Sequence, residues 1–305
     1  MAEPPSTSEG RRSAKPKVIY VLGAHRSGST ILGVTLGNCE NVFFAGELHS
    51  WQSRRGIPSF GGEAGARLWS EVLENVDDAE GLFGDETQRY VDRSSALYRV
   101  HRWPQRRRLR RRYRRVAEDL YRAIAKAAGV THIVDTSHYP LRARELQQIS
   151  GIELYIVFLV RDPQGIVRSQ GPGNNRGYSK GPLLANLQLW VTYLLSLGVF
   201  LRQPRERRML VRHEDFLADT DGVLRQILDR TGSSAATPDL SALHTGSPLQ
   251  GNRFLRQGEV TALKRRSPAP DAAGSSLMTS VLQLPWIPVL AALRPAVKPW
   301  PGSDG

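Results

Sequence analysis

Cysteine is nearly absent. The chain has 305 residues and one thiol, Cys39, so no internal disulfide can form. Cys39 follows an apolar helical stretch, where a buried, inert thiol is expected. Acidic residues are in deficit: 42 Lys+Arg face 29 Asp+Glu, for a formal net charge of +13. That balance suits an anionic donor, acidic substrates, nucleic acid or a membrane surface, and does not choose among them. No uninterrupted apolar run approaches the ~20 residues that a spanning helix needs, so no transmembrane segment is expected. Residues 1–16 are polar and rich in Pro and Ser, with no apolar stretch of the secretory kind. The expectation is a cytoplasmic protein, with residues 1–16 as a disordered tail and residues 17–305 as a single domain. No His, Cys, Asp or Glu spacing of the metal-binding kind is seen, so no metal is expected. There is no internal repeat.

What is present is organised around residues 17–36, K-V-I-Y-V-L-G-A-H-R-S-G-S-T-I-L-G-V-T-L. An apolar, β-branched run meets a Gly/Ser loop, and the loop runs into an apolar segment with helical spacing. This is strand, loop, helix, the start of a βαβ unit. Gly23 and Gly28 stand at the two ends of the turn, where glycine lets backbone N–H groups close around an anion. The following helix points its positive end at the same spot. A nucleotide triphosphatase would next need Lys and then Ser or Thr. Here Ser29 and Thr30 follow Gly28, and the cation is Arg26, inside the loop. A P-loop kinase with Asp135 as a magnesium ligand is therefore disfavoured.

Strands alternate with helices along the rest of the chain. Runs at 42–45, 131–137, 154–160 and 208–212 read as strands. Helices are expected at 68–76, 141–150, 183–201 and 220–231, with a Gly-rich loop at 170–182. The pattern predicts an α/β fold, a doubly wound, mostly parallel sheet with helices on both faces. The run 154–160 has no polar alternation, as in a strand covered on both faces. Ligands of such sheets bind outside the carboxyl ends of the strands. Residues 23–30, Glu47, 135–138 and Arg161 all fall at that edge. An arginine-rich helical segment spans about 99–128. Nine of the fourteen residues from 102 to 115 are Arg, around a stripe of Leu109, Tyr113, Val116, Leu120 and Ile124. Three uses of it are open: a solvated face, a nucleic-acid or scaffold surface, or recruitment of an anionic acceptor. The apolar tail 277–297 is broken by Pro285, Pro288 and Pro295, which favours a packed segment over membrane contact.

The loop R-S-G-S-T after a strand resembles the 5′-phosphosulfate loop of sulfotransferases that use 3′-phosphoadenosine 5′-phosphosulfate (PAPS). The segment from Val157 to Ser169, V-F-L-V-R-D-P-Q-G-I-V-R-S, is similar to their 3′-phosphate motif, and residues 209–216 to their V-R-Y-E-D-L strand and turn. Residues 251–256, G-N-R-F-L-R, resemble the Gly-Asn-x-x-Arg loop of bacterial members. The resemblance implies the P-loop-like sulfotransferase fold, a place in bacterial secondary metabolism, and transfer of a sulfuryl group to a hydroxyl or amine. The acceptor would be a small molecule, a sugar or lipid-like, and anionic if the arginines recruit it. It implies PAPS as donor and neither a metal nor nucleic acid as partner. His25, Arg26, Ser27, Gly28, Ser29 and Thr30 would hold the 5′ end, Arg161 and Ser169 the 3′-phosphate. Ser137, Asn252 and either Arg253 or Arg256 would also touch the donor. Glu47 is the expected base, with His49 and His25 as competitors and Arg26 assisting the sulfuryl group. Glu214 and Asp215 are expected to cap and orient. His138 stands where relatives commonly carry Lys.

Overall fold

The computed structural model describes residues 14–51, 57–77, 91–97, 100–170, 181–252, 255–256, 259–260 and 273–293. Residues 1–13, most of the expected Gly-rich loop and Arg253 lie outside these. The strands are β1 (Lys17–Gly23), β2 (Val42–Gly46), β3 (His132–His138), β4 (Glu153–Val160), β5 (Arg208–Arg212), β6 (Leu243–His244) and β7 (Glu259–Val260). The helices are α1 (Ser29–Gly37), α2 (Gly62–Glu74), α3 (Trp103–Ala128), α4 (Pro140–Leu146) and α5 (Pro163–Gln170). They continue with α6 (Pro182–Arg202), α7 (His213–Ala218), α8 (Thr220–Thr231), α9 (Ala273–Gln283) and α10 (Trp286–Ala292).

Five strands form one sheet in the order β2-β3-β1-β4-β5, and each neighbouring pair is parallel. The strands β6 and β7 make a separate antiparallel pair. The unbroken apolar run of β4 explains why the sheet has two covered faces. Leu154, Ile156, Phe158 and Val160 enter one core with Tyr113, Leu120, Leu189 and Phe200. Val157 and Leu159 enter the other, with Leu32, Phe216, Leu224 and Ile227. The period of two in a strand makes this division. So α2, α3, α4 and α6 lie on one face, and α1, α7 and α8 on the other. Pro16 belongs to the fold, since its carbonyl accepts the Glu153 N–H at 2.9 Å. Cys39 is buried, and burial pushes its thiol up to about 11, as an inert core thiol requires.

Helix α4 is shorter than the 141–150 expectation, ending at Leu146. Among the described residues one α-helix, α6, is long and apolar enough to cross a membrane by length and composition, a test that the core helix of a soluble protein also passes. Its inner side, with Leu189, Tyr193, Val199 and Phe200, is packed into the core. Pro285 separates α9 from α10, Pro288 falls inside α10 and Pro295 lies outside the described residues, and Trp286 packs on Trp190 with ring centroids 4.9 Å apart.

The arginine-rich helix divides its cations by face. Arg106 is buried, and Arg110 and Arg114 turn inward to Glu145 of α4, at 2.7 and 2.8 Å. Arg144 adds a longer contact at 3.7 Å. Glu145 is fully buried, so its charge depends on these partners. Arg107, Arg108, Arg111, Arg112 and Arg115 are exposed on the opposite side. Glu145→Ala removes the anion that joins α3 to α4 and leaves the inward arginines facing one another. It should cost about 2–4 kcal/mol, read as a lowered midpoint in denaturant titration. An unchanged midpoint would show the cluster to be structurally idle.

Candidate active site

Because the five strands are parallel, their carboxyl ends share one edge, and each delivers a short polar segment there. After β1 the chain curls through 24–28 into α1. Arg26 and Gly28 adopt left-handed backbone at φ 70° and 97°. A Cβ on Gly28 would lie 2.3 Å from His213 Nδ1, and one on Gly23 2.4 Å from the Leu159 carbonyl oxygen. Only glycine satisfies both positions. Ser27 is buried inside the curl, and its Oγ has no hydrogen-bond partner. The Nδ1 of His213 is likewise buried and unpartnered. Ser29 and Thr30 open α1, whose amino end faces the loop.

The two expected anion motifs touch. Arg161, at the end of β4, donates from Nη1 to the backbone carbonyl of Arg26 at 3.0 Å. Its guanidinium lies over Gly165, whose added Cβ would sit 3.3 Å from Arg161 Nε. Ser169 is one turn further along the same flank of α5 and donates to the Ile166 carbonyl at 2.7 Å. The α5 start is fixed by Asp162, which accepts the Gly165 N–H at 2.9 Å. Glu214 in turn accepts the Asp162 N–H at 2.8 Å, so it does orient the β4 end. Residues 248–252 run beside the β2 end: Gln250 accepts the Glu47 N–H at 2.9 Å, and Gly251 faces the Thr30 methyl. Asn252 is half-buried there, while Arg256 is exposed.

At the ends of β2 and β3 the register slips, between Phe44 and Gly46 and between Tyr20 and Leu22. Such bulges re-aim side chains. Glu47 is partly exposed and stands 4.0 Å from His49 Nε2. Ser137 is fully buried; its hydroxyl donates to Asp135 and accepts the His49 backbone N–H at 3.0 Å. Its one O–H is thereby committed inside the protein. Asp135 also accepts from Tyr121 at 2.6 Å and from the fully buried Arg142 at 3.3 Å. Arg142 donates to Tyr113 at 2.6 Å, and Tyr113 to Asp92 at 2.6 Å. His138, at φ 53°, places Nδ1 3.0 Å from the Thr136 carbonyl and Nε2 3.0 Å from His25 Nε2. A carbonyl only accepts, so His138 carries its proton on Nδ1 and His25 donates from Nε2. Beside this pair a cavity opens between the loop (Gly23, Ala24), Ser94, Tyr139 and the α6 residues Gln188 and Thr192.

The sequence singled out the loop, Arg161 and the β2 and β3 ends, and the structure brings them to one edge. It missed His213, Tyr139 and the Arg142 network. His213 sat inside a motif read as structural. Tyr139 and Arg142 follow D-T-S-H directly, but nothing local marks a residue that turns inward. Among the described residues there is no group of three or more His, Cys, Asp or Glu arranged for a metal ion.

Three imidazoles are held neutral. Burial lowers His49 to about 3, aided by Arg142, and His138 to about 3, aided by His49. Burial and Arg161 lower His213 to about 4. In the unfolded chain each titrates near 6.5. Their contribution to stability is whole above about pH 6.5 and is lost as pH falls towards those values, by up to about 1.4 kcal/mol per pH unit each. Burial raises Asp92 to about 6, which opposes one of them below that pH. Thermal melts should therefore fall steadily from about pH 7 to about pH 5, and less steeply in His213→Asn. A midpoint constant over that range would contradict this arrangement.

A family model described as the sulfotransferase family matches residues 16–237. No curated protein matches the chain. Among solved structures, a sulfotransferase from Mycobacterium avium is 14% identical, with 90% of this chain and 76% of that one covered and a TM-score of 0.50. The sulfotransferase domain of the olefin synthase from Synechococcus PCC 7002 is 20% identical, covering 89% and 95%, with a TM-score of 0.48. The sulfotransferase domain from the curacin biosynthetic pathway is 18% identical, covering 88% and 98%, also at 0.48. With the family match spanning most of the chain and the sheet order and loop built as described, this protein belongs to the sulfotransferase family.

Proposed function

We propose that the chain takes PAPS as donor and moves its sulfuryl group to a hydroxyl or amine of a small-molecule, sugar or lipid-like acceptor. The observation that carries this is the bond from Arg161 to the Arg26 carbonyl, which sets the two motifs expected to hold anions side by side on one edge. A donor with anionic groups at both ends needs that adjacency. The buried, unpartnered hydroxyl of Ser27 and the glycine-shaped curl around it suit an oxygen-rich ligand. When bound, the donor supplies the activated sulfuryl group. The amides of 26–30, with the Arg26 side chain and the hydroxyls of Ser29 and Thr30, hold the 5′ end and offset charge there. Arg161 and Ser169 hold the 3′-phosphate. Asn252, with Arg253 or Arg256, closes from the segment beside β2.

Glu47 takes the acceptor proton. It is a partly exposed carboxylate at the edge, 4.0 Å from His49 Nε2, where an acceptor hydroxyl or amine could reach it. Ser137 serves by holding the His49 backbone in place and not as an outward-facing ligand. His25 and His138 line the cavity that would receive the acceptor.

Calorimetry with 3′,5′-adenosine bisphosphate tests the donor site. The wild type should bind, and Arg161→Ala should weaken binding by about 10–100-fold while keeping a cooperative melt. No binding by the wild type would remove the reading. Glu47→Gln should lower kcat by about 10²–10⁴-fold and leave bisphosphate binding unchanged. A kcat within a few-fold of wild type would move the base to a histidine.

A further inference from the structure

Helices α6 and α9 pack against each other. The groups between them are polar. Asn186 donates to Thr279 at 3.1 Å, and Gln283 donates to the Asn186 side-chain oxygen at 2.8 Å. Asn186, Thr279 and Gln283 are all buried. Trp190 adds a bond to the Leu282 carbonyl at 2.6 Å. The outward faces are apolar. On α6, Leu184, Leu187, Leu194 and Leu201 are 49–59% exposed and recur at helical spacing along one side. Beyond them, Leu277, Val281, Leu284 and Ile287 are 62–71% exposed. Residues 182–201 and 272–293 contain no charged side chain. A helix solvated by water shows the reverse pattern, and a row of exposed large apolar side chains marks a contact surface.

Cations border the face. Arg202 ends α6 and is exposed directly after Leu201, and Arg110 and Arg144 lie together at Glu145. Arg110 belongs to α3, whose outward side carries the exposed Arg107, Arg111 and Arg115. Helix α4 touches both α3 and α6, and all three pack on the same face of the sheet. The flank of α6 next to the leucine stripe lines the cavity beside the loop, through Gln188 and Thr192.

We propose that the outer faces of α6 and α9, with the arginine border of α3, form a docking surface for an anionic lipid bilayer. The chain lies on such a surface and does not span it: the leucines enter the acyl boundary and the arginines meet anionic headgroups. Charge complementarity selects a bilayer over a second copy of this chain, because the border of a second copy would carry the same excess of arginine. The inference does not depend on which donor or acceptor the site takes.

Flotation of the full chain with vesicles tests it. The wild type should float with phosphatidylcholine–phosphatidylglycerol vesicles and much less with phosphatidylcholine alone, and added salt should narrow the gap. The double variant Leu194→Gln, Val281→Gln should partition about tenfold less and melt no earlier than the wild type. Replacing Arg107, Arg111 and Arg115 by Gln should abolish the preference for anionic vesicles. A wild type that stays in the aqueous fraction with both vesicles would overturn the proposal, as would partition unchanged in the leucine–valine variant. A dimer in light scattering that the same double variant dissolves would also overturn it and assign the face to a second copy.

Discussion

A guanidinium sealed in the core governs the edge where the chemistry would occur. Arg142 is wholly buried, and its charge is tolerable only because Asp135, Tyr113 and Tyr121 surround it. Asp135 in turn fixes Ser137, and Ser137 holds the backbone of His49, two residues from Glu47. Helices α3 and α4 and the ends of β2 and β3 are thus tied into one polar unit. The paired members of such a network hold one another, because each would be costly if left alone in a low dielectric. The partly exposed carboxylate of Glu47 therefore rests on that network.

The same edge stores conformational strain. Arg26 and His138 both adopt left-handed backbone without being glycine, and both sit at carboxyl ends of neighbouring strands. Each such residue costs on the order of 1–3 kcal/mol. The surrounding bonds hold them: Arg161 accounts for the Arg26 carbonyl, and His25 and Thr136 for both nitrogens of His138. The loop, the imidazole pair and the arginine at the β4 end are consequently not independent parts. A change at Arg161 alters the loop as well as any ligand it grips.

Two helical surfaces on one side of the sheet show how net charge misleads when read as a total. Part of the arginine excess is internal, spent on Glu145. Other arginines of α3 are displayed outward, while residues 182–201 and 272–293 carry no charge and turn Asn186 and Gln283 inward. Burial decides the role of each residue in both cases. The solvent-facing side of α6 looks like a core and the core-facing side of α9 looks like a surface.

The sequence by itself determined the parallel α/β plan, since unbroken apolar strands need cover on both faces and alternate with helices. It also determined the glycine-ended loop after β1, because Gly23, Gly28 and Arg26 act through local backbone geometry, and it placed Arg161 and Glu47 at one edge. Those features depend on neighbours in the chain. The Arg161–Arg26 bond, the packing of His213 on Gly28 and the Arg142 network join residues far apart in sequence, through strand order and two register slips that no local pattern records. Only the tertiary structure decided those, and only it showed which faces of the arginine-rich and leucine-rich helices meet water. Helical periodicity reveals that two faces differ, but the partner packed against one of them decides which is inside.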